Sequence, residues 1–123
     1  MKFILAVGIG SLIGGIFRYL LGQYIQDKFL SSFPYGTFTV NILGCLLIGI
    51  LFGFVEKGSL GALWQLFLIT GILGGFTTFS SFSNETVFLL RNGRVMGALF
   101  NVLGTVVLGV LATFGGIYLS RLL

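Results

Sequence analysis

The sequence predicts an all-α membrane protein with four transmembrane helices, and three observations carry that prediction. Of the 123 residues, 56% are hydrophobic and only 8% are charged, with a mean hydropathy of +1.10, whereas soluble domains carry roughly 25% charged residues. The charged side chains leave uninterrupted stretches at 29–55, 58–84 and 95–120 free of charge. The connections between these stretches are short, so a single transmembrane domain over 1–123 is expected, with no soluble part.

The first span is expected at roughly 3–25. Residues 3–17 are charge-free, and the apolar pattern continues past Arg18 to Ile25. Lys2 followed by an apolar run also opens many signal peptides, but this run is punctuated by glycine and lacks a small-residue cleavage site, so it reads as a mature helix. The second and fourth spans, at roughly 34–55 and 95–120, exceed the ~20 residues that a helix needs to cross a ~30 Å hydrocarbon core.

The third span, roughly 60–90, contains the densest polar cluster of the chain, "GGFTTFSSFSNET" at 74–86. Gly74-Gly75 followed by Thr77-Thr78 is poor helix material, and it predicts a helix broken in mid-membrane. Such breaks are tolerated where the freed backbone groups are buried in protein or line a cavity. Carbonyls released there could hold a cation. Past the break, at about 100° per residue, Phe76, Phe79, Ser80 and Ser83 share one face, with Phe82 at its edge and Glu85 and Thr86 further on. Ring edges carry the positive part of the aromatic quadrupole and hydroxyls donate hydrogen bonds, so this face suits an anion that has shed its water. Packing phenylalanines, and hydroxyls bonded to their own i−4 carbonyls, explain any one of these residues equally well; they explain the cluster less well.

Two further residues stand out. Asn41, in "TFTVNILGCLLIG", is an amide inside the second span, where it must find partners; interhelical bonding and ligand contact both fit. Arg18 lies near the far end of the first span, where it either snorkels to the headgroups or faces an aqueous vestibule. The 20 glycines let helices approach closely in lipid, and Gly10, Gly14 and Gly22, Gly49 with Gly53, and Gly71 with Gly75 each form a four-residue row. Four helices enclose little by themselves, which favours a dimer.

Charge distribution supports that expectation. Lys2, Lys57 and Arg121 fall on one side of a four-span chain, and Lys28, Arg91 and Arg94 on the other. Orientation follows the Lys/Arg bias of short loops, so a near balance predicts insertion both ways and an antiparallel dual-topology homodimer. The net charge of +4 is dispersed over the loops and does not predict a nucleic-acid partner. The lone Cys45 cannot form an intrachain disulfide. With no histidine, three carboxylates and no P-loop, the chain offers little for acid–base or metal-assisted catalysis, and no enzyme is expected.

Taken in order, "GSLIGGIFRYLLG", "TFTVNILGCLLIG" and "GGFTTFSSFSNET" resemble the Fluc (CrcB) fluoride-channel family, and the resemblance covers essentially the whole chain. It implies antiparallel homodimers with two fluoride pores in a bacterial plasma or inner membrane, with fluoride, a second copy of the chain and the lipid bilayer as partners. It implies that the edges of Phe79 and Phe82 contact the anion, that Asn41 donates to it, and that Ser80, Ser83 and Thr86 form a polar track with Glu85 beside it. Thr105 would continue the track in the fourth helix, and Arg18 would stand at a vestibule. A structural Na+ at the dimer centre would be held by the backbone carbonyls of Gly74 and Thr77. The implied function is passive fluoride export: HF enters from acidic surroundings, dissociates inside, and the anion leaves down a potential worth about 2.3 kcal/mol per 100 mV. Two alternatives are a proton-coupled small multidrug transporter, which needs a titratable carboxylate where the first helix instead carries Arg18, and a non-transporting membrane assembly subunit.

Overall fold

In lipid, a backbone N–H or C=O without an internal partner costs several kcal/mol, and the chain meets this constraint with helices throughout. The computed structural model describes all 123 residues. Helix α1 spans Lys2–Lys28 and α2 spans Tyr35–Glu56; α3 (Ala62–Gln65) runs into a π-helical stretch, Leu66–Leu73, then α4 (Gly74–Phe76); α5 spans Phe79–Arg91 and α6 Val95–Leu122. Four segments are long and apolar enough to cross a membrane: Lys2–Lys28, Tyr35–Glu56, Ala62–Arg91 and Val95–Leu122.

The turns are closed by specific groups. Gln26, near the end of α1, donates from Nε2 to the carbonyls of Ser31 (3.2 Å) and Phe33 (3.1 Å) and accepts at Oε1 from the Gly36 amide (3.0 Å). One side chain thereby ties down the turn and supplies one of the partners that the first turn of α2 lacks. Two later turns use glycine at positive φ, Gly58 at +70° and Gly93 at +75°, where a Cβ would be strained.

Small residues bring the helices together in two pairs. In the first, α1 lies along the third span: a Cβ on Gly10 would stand 2.9 Å from the Gly71 Cα, and one on Gly14 2.9 Å from the Phe76 amide nitrogen. In the second, α2 lies along α6, with a Cβ on Gly49 3.0 Å from the Gly116 Cα. These backbones touch because no side chain separates them. Where the pairs meet, Val40, Leu73 and Phe76 form a small buried core, with Leu21, Leu43, Ile48 and Leu51 packed against it. Phe76, expected on the same face as Phe79, turns into this core instead, because the chain does not continue helically between them. Leu12, Phe17, Val106 and Phe114 are exposed along the outer surface, as lipid-facing residues must be.

Candidate functional site

Between α4 and α5 the backbone is extended at Thr77 (φ −87°, ψ 155°) and Thr78 (φ −149°, ψ 124°). An extended pair between helices removes ladder partners on both sides, and the chain replaces some of them with side chains. The Thr77 hydroxyl and amide both donate to the Leu73 carbonyl, at 2.9 and 3.0 Å. The Thr78 hydroxyl caps α5 by accepting from the Ser81 amide at 3.3 Å. From α2, Asn41 meets both backbone groups of Thr78: its Oδ1 accepts from the Thr78 amide at 2.8 Å and its Nδ2 donates to the Thr78 carbonyl at 3.0 Å. The carbonyls of Gly74, Gly75, Phe76 and Thr77 all receive no donor in this arrangement.

Two cavities flank this stretch. One, of about 400 Å³, is lined by Asn41, Gly74, Thr77, Phe79, Phe82 and Thr105 among other residues. The other, also about 400 Å³, is polar, with Arg18, Gln26, Thr37, Ser81 and Glu85 in its wall. Thr78 lines both and stands as the divide between them.

In the first cavity the rings of Phe79 and Phe82 have centroids 5.6 Å apart and planes tilted by 51°, so they do not stack and their edges remain available. Phe79 is 79% exposed, open on the side where this chain offers no cover. The Thr105 hydroxyl is buried with no hydrogen-bond partner, and its proton is therefore free for a ligand. Asn41 uses one Nδ2 proton on Thr78 and has a second. In the second cavity, Thr37 donates to Glu85 Oε1 at 2.8 Å, while Oε2 is buried without a partner. Arg18 is half-buried in the same wall.

The remaining expected site residues fall elsewhere. Thr86 turns inward, where it accepts from Asn101 Nδ2 at 3.0 Å and commits its proton to the Phe82 carbonyl at 2.8 Å. Ser80 and Ser83 are exposed on the outward face of α5 and line neither cavity. Within one chain, then, Ser80 and Ser83 do not continue into Thr86 as a single row. No group of three His, Cys, Asp or Glu side chains is placed to hold a metal ion.

Reasoning from sequence missed Thr37, Thr78 and Ser81 as wall residues and Asn101 as a partner of Thr86. Thr37 carried a usable signal. It lies four residues before Asn41 and therefore on the same face of α2. Asn101, buried to 1% exposure, was legible only as a polar residue in an apolar span, which demands a partner without naming it.

The chain matches the family model described as "CrcB-like protein, Camphor Resistance (CrcB)" over residues 5–117. It is 41% identical over 122 residues to a protein of Flavobacterium psychrophilum named "Fluoride-specific ion channel FluC", covering 98% of each chain. Proteins of the same name from Phocaeicola vulgatus (42% over 121 residues, 98% of this chain and 100% of the relative) and Aquifex aeolicus (43% over 122 residues, 98% of each) are similarly close. With the match running nearly end to end through both cavities, this chain belongs to the CrcB-like family.

Proposed function

We propose that this protein is a fluoride channel of a bacterial cell membrane, passing the anion by electrodiffusion and so exporting it from the cytoplasm. The observation that carries this reading is the cavity beside Thr77 and Thr78. It sets two ring edges, an uncommitted threonine hydroxyl and a spare amide proton around a space free of carboxylate, in a chain whose full-length relatives are named fluoride-specific channels. Small, hard fluoride accepts strong hydrogen bonds, and donors fixed in a low-dielectric wall offset its dehydration better than mobile groups do. No catalytic step enters this reading.

In this account the extended pair lies within the membrane and breaks the third span, and the pore is completed by a second, antiparallel copy. Support comes from surface left uncovered. The chain exposes 7669 Å², against about 6,500 Å² for a compact monomer of its mass, and Phe79, Ser80 and Ser83 all lie on the open side. A partner copy seated there would enclose the rings and turn the two serines into pore lining. Arg18 in the polar cavity would draw anions towards it. The donor-free carbonyls of Gly74 and Thr77 suit a hard monovalent cation, since unwound backbone at membrane depth coordinates Na+ through oxygens. Bound there with the same carbonyls of the second copy, Na+ would neutralise them and tie the two chains together.

Planar-bilayer recording under a fluoride/chloride gradient tests the function. The current should reverse near the fluoride equilibrium potential; a reversal that follows the proton gradient, or no current at all, would reject a fluoride channel.

A further inference from the structure

Thr78 is bonded through its amide, its carbonyl and its hydroxyl although it lies outside any helix. Its amide donates to Asn41 Oδ1, its carbonyl accepts from Asn41 Nδ2, and its hydroxyl accepts from the Ser81 amide while lying 3.4 Å from the Ser80 hydroxyl. It is also the residue shared by the walls of the two cavities. A residue with extended dihedrals between two helix ends is ordinarily free to rock, because neither ladder holds it. Here it is fastened from a different helix, and 37 residues separate the two partners in sequence.

We infer that Asn41 acts as a positioning residue for conduction, working through the Thr78 backbone: its amide imitates the missing peptide group of the helix and sets the aim of Phe79, the next residue. The geometry favours this over an amide whose main task is to meet the ion. The Asn41 Oδ1 and one of its two Nδ2 protons are engaged by Thr78, leaving a single proton for any other partner, and Asn41 is 92% buried (8% exposed). Aspartate in its place would keep the acceptor for the Thr78 amide but would oppose the Thr78 carbonyl with a second oxygen, so shape alone cannot substitute. Losing both bonds frees the first turn of α5, and with it the ring that forms one side of the aromatic cavity. Two neutral hydrogen bonds correspond to about tenfold or more in any equilibrium they bias.

The inference rests on the channel reading, and its test separates the two. Thr78 is replaced by its α-hydroxy analogue, which turns the 77–78 amide into an ester and removes the proton donated to Asn41 while leaving Asn41 itself untouched. Fluoride flux is measured for the unmodified protein, the ester, Asn41→Ala, and both together, with dimer integrity checked by size exclusion. In parallel, 4-fluorophenylalanine at position 79 reports ring order by 19F NMR. The ester, which removes one of the two bonds, should reduce flux severalfold and Asn41→Ala about tenfold or more, both should relax fluoride-over-chloride selection, and the combination should be no worse than Asn41→Ala. The single sharp resonance at position 79 should broaden or split in both. An ester with full flux and an unchanged resonance, beside an inactive Asn41→Ala, would show that the amide serves the ion directly and would overturn the inference; so would losses that multiply. If the unmodified protein passes no fluoride, the channel reading fails, while the resonance still decides whether Asn41 orders Phe79.

Discussion

The α2–α6 pair and the α4–α5 stretch treat their polar groups in opposite ways. Along α2 and α6, Gly49 meets Gly116, the Thr113 hydroxyl donates to the carbonyls of Cys45 (3.2 Å) and Gly109 (3.1 Å), and Lys57 reaches the Ser120 carbonyl at the helix end. Every one of these groups is matched inside the chain. Around α4 and α5, the Thr105 hydroxyl and Glu85 Oε2 are buried without partners, the carbonyls of 74–77 lack donors, and Phe79 is exposed. The part of the α2–α6 pair from Cys45 to Lys57 and from Gly109 to Ser120 is a scaffold that closes on itself, whereas Thr105, further along α6, lines the aromatic cavity and belongs with the second region. The second is incomplete by itself, and an incomplete, polar, membrane-embedded surface is where an ion or a second chain can bind with gain.

The sharpest way to break this contrast is to fill the scaffold. Gly49→Leu would force a side chain into the Gly116 backbone, and the loss should exceed the 1–3 kcal/mol common for overpacking, leaving little folded protein on size exclusion. Gly115→Leu, at a position with nothing within 4 Å, should leave yield and thermal stability unchanged or slightly raised. Equal tolerance of both would dissolve the distinction.

A smaller effect is expected on folding, and a larger one on transport, in the α4–α5 region. Phe79→Ile or Phe82→Ile should lower fluoride flux by about tenfold or more, the loss expected if ring edges contribute on the order of 1.4 kcal/mol to a bound anion, while the protein still elutes as a folded species. Unchanged flux in both variants would make the rings ordinary packing.

The two threonines of α6 then provide a matched pair. Thr113→Val removes the one hydroxyl proton shared between the Cys45 and Gly109 carbonyls and should destabilise by about 1 kcal/mol. Thr105→Val removes a buried hydroxyl that bonds nothing in the chain, so stability should hold or rise while flux falls. The reverse pattern would show that Thr105 is matched after all and that its proton is not free for an ion. Weakest of all should be two lysines added near Ser31 and Ser32. They would bias insertion in one direction and halve or further reduce activity by making oppositely inserted partners scarce; full activity with one proven orientation would contradict the antiparallel pairing.

The four membrane-length segments were legible in the sequence because a bilayer imposes length and apolarity residue by residue. The glycine rows were legible for the same reason, since close approach in lipid needs small residues at fixed spacing. Phe76 was misplaced because a helical wheel carries its phase through Thr77 and Thr78, where the backbone abandons it. The π-helical turn at Leu66–Leu73 leaves no such mark, its apolar residues being equally at home in an α-helix. Asn41 with Thr78, Glu85 with Thr37 and Thr86 with Asn101 are pairings between distant segments. Sequence showed that Asn41 must have a partner, and only the packing of α2 against the third span says which.

The measurement that tests the central claim most directly is fluoride release from proteoliposomes, followed with a fluoride electrode under an applied potassium-diffusion potential, with chloride as the companion ion. The account predicts rapid, voltage-driven fluoride efflux while chloride is retained. Vesicles that keep their fluoride as well as protein-free ones, or that release both halides alike, would contradict it.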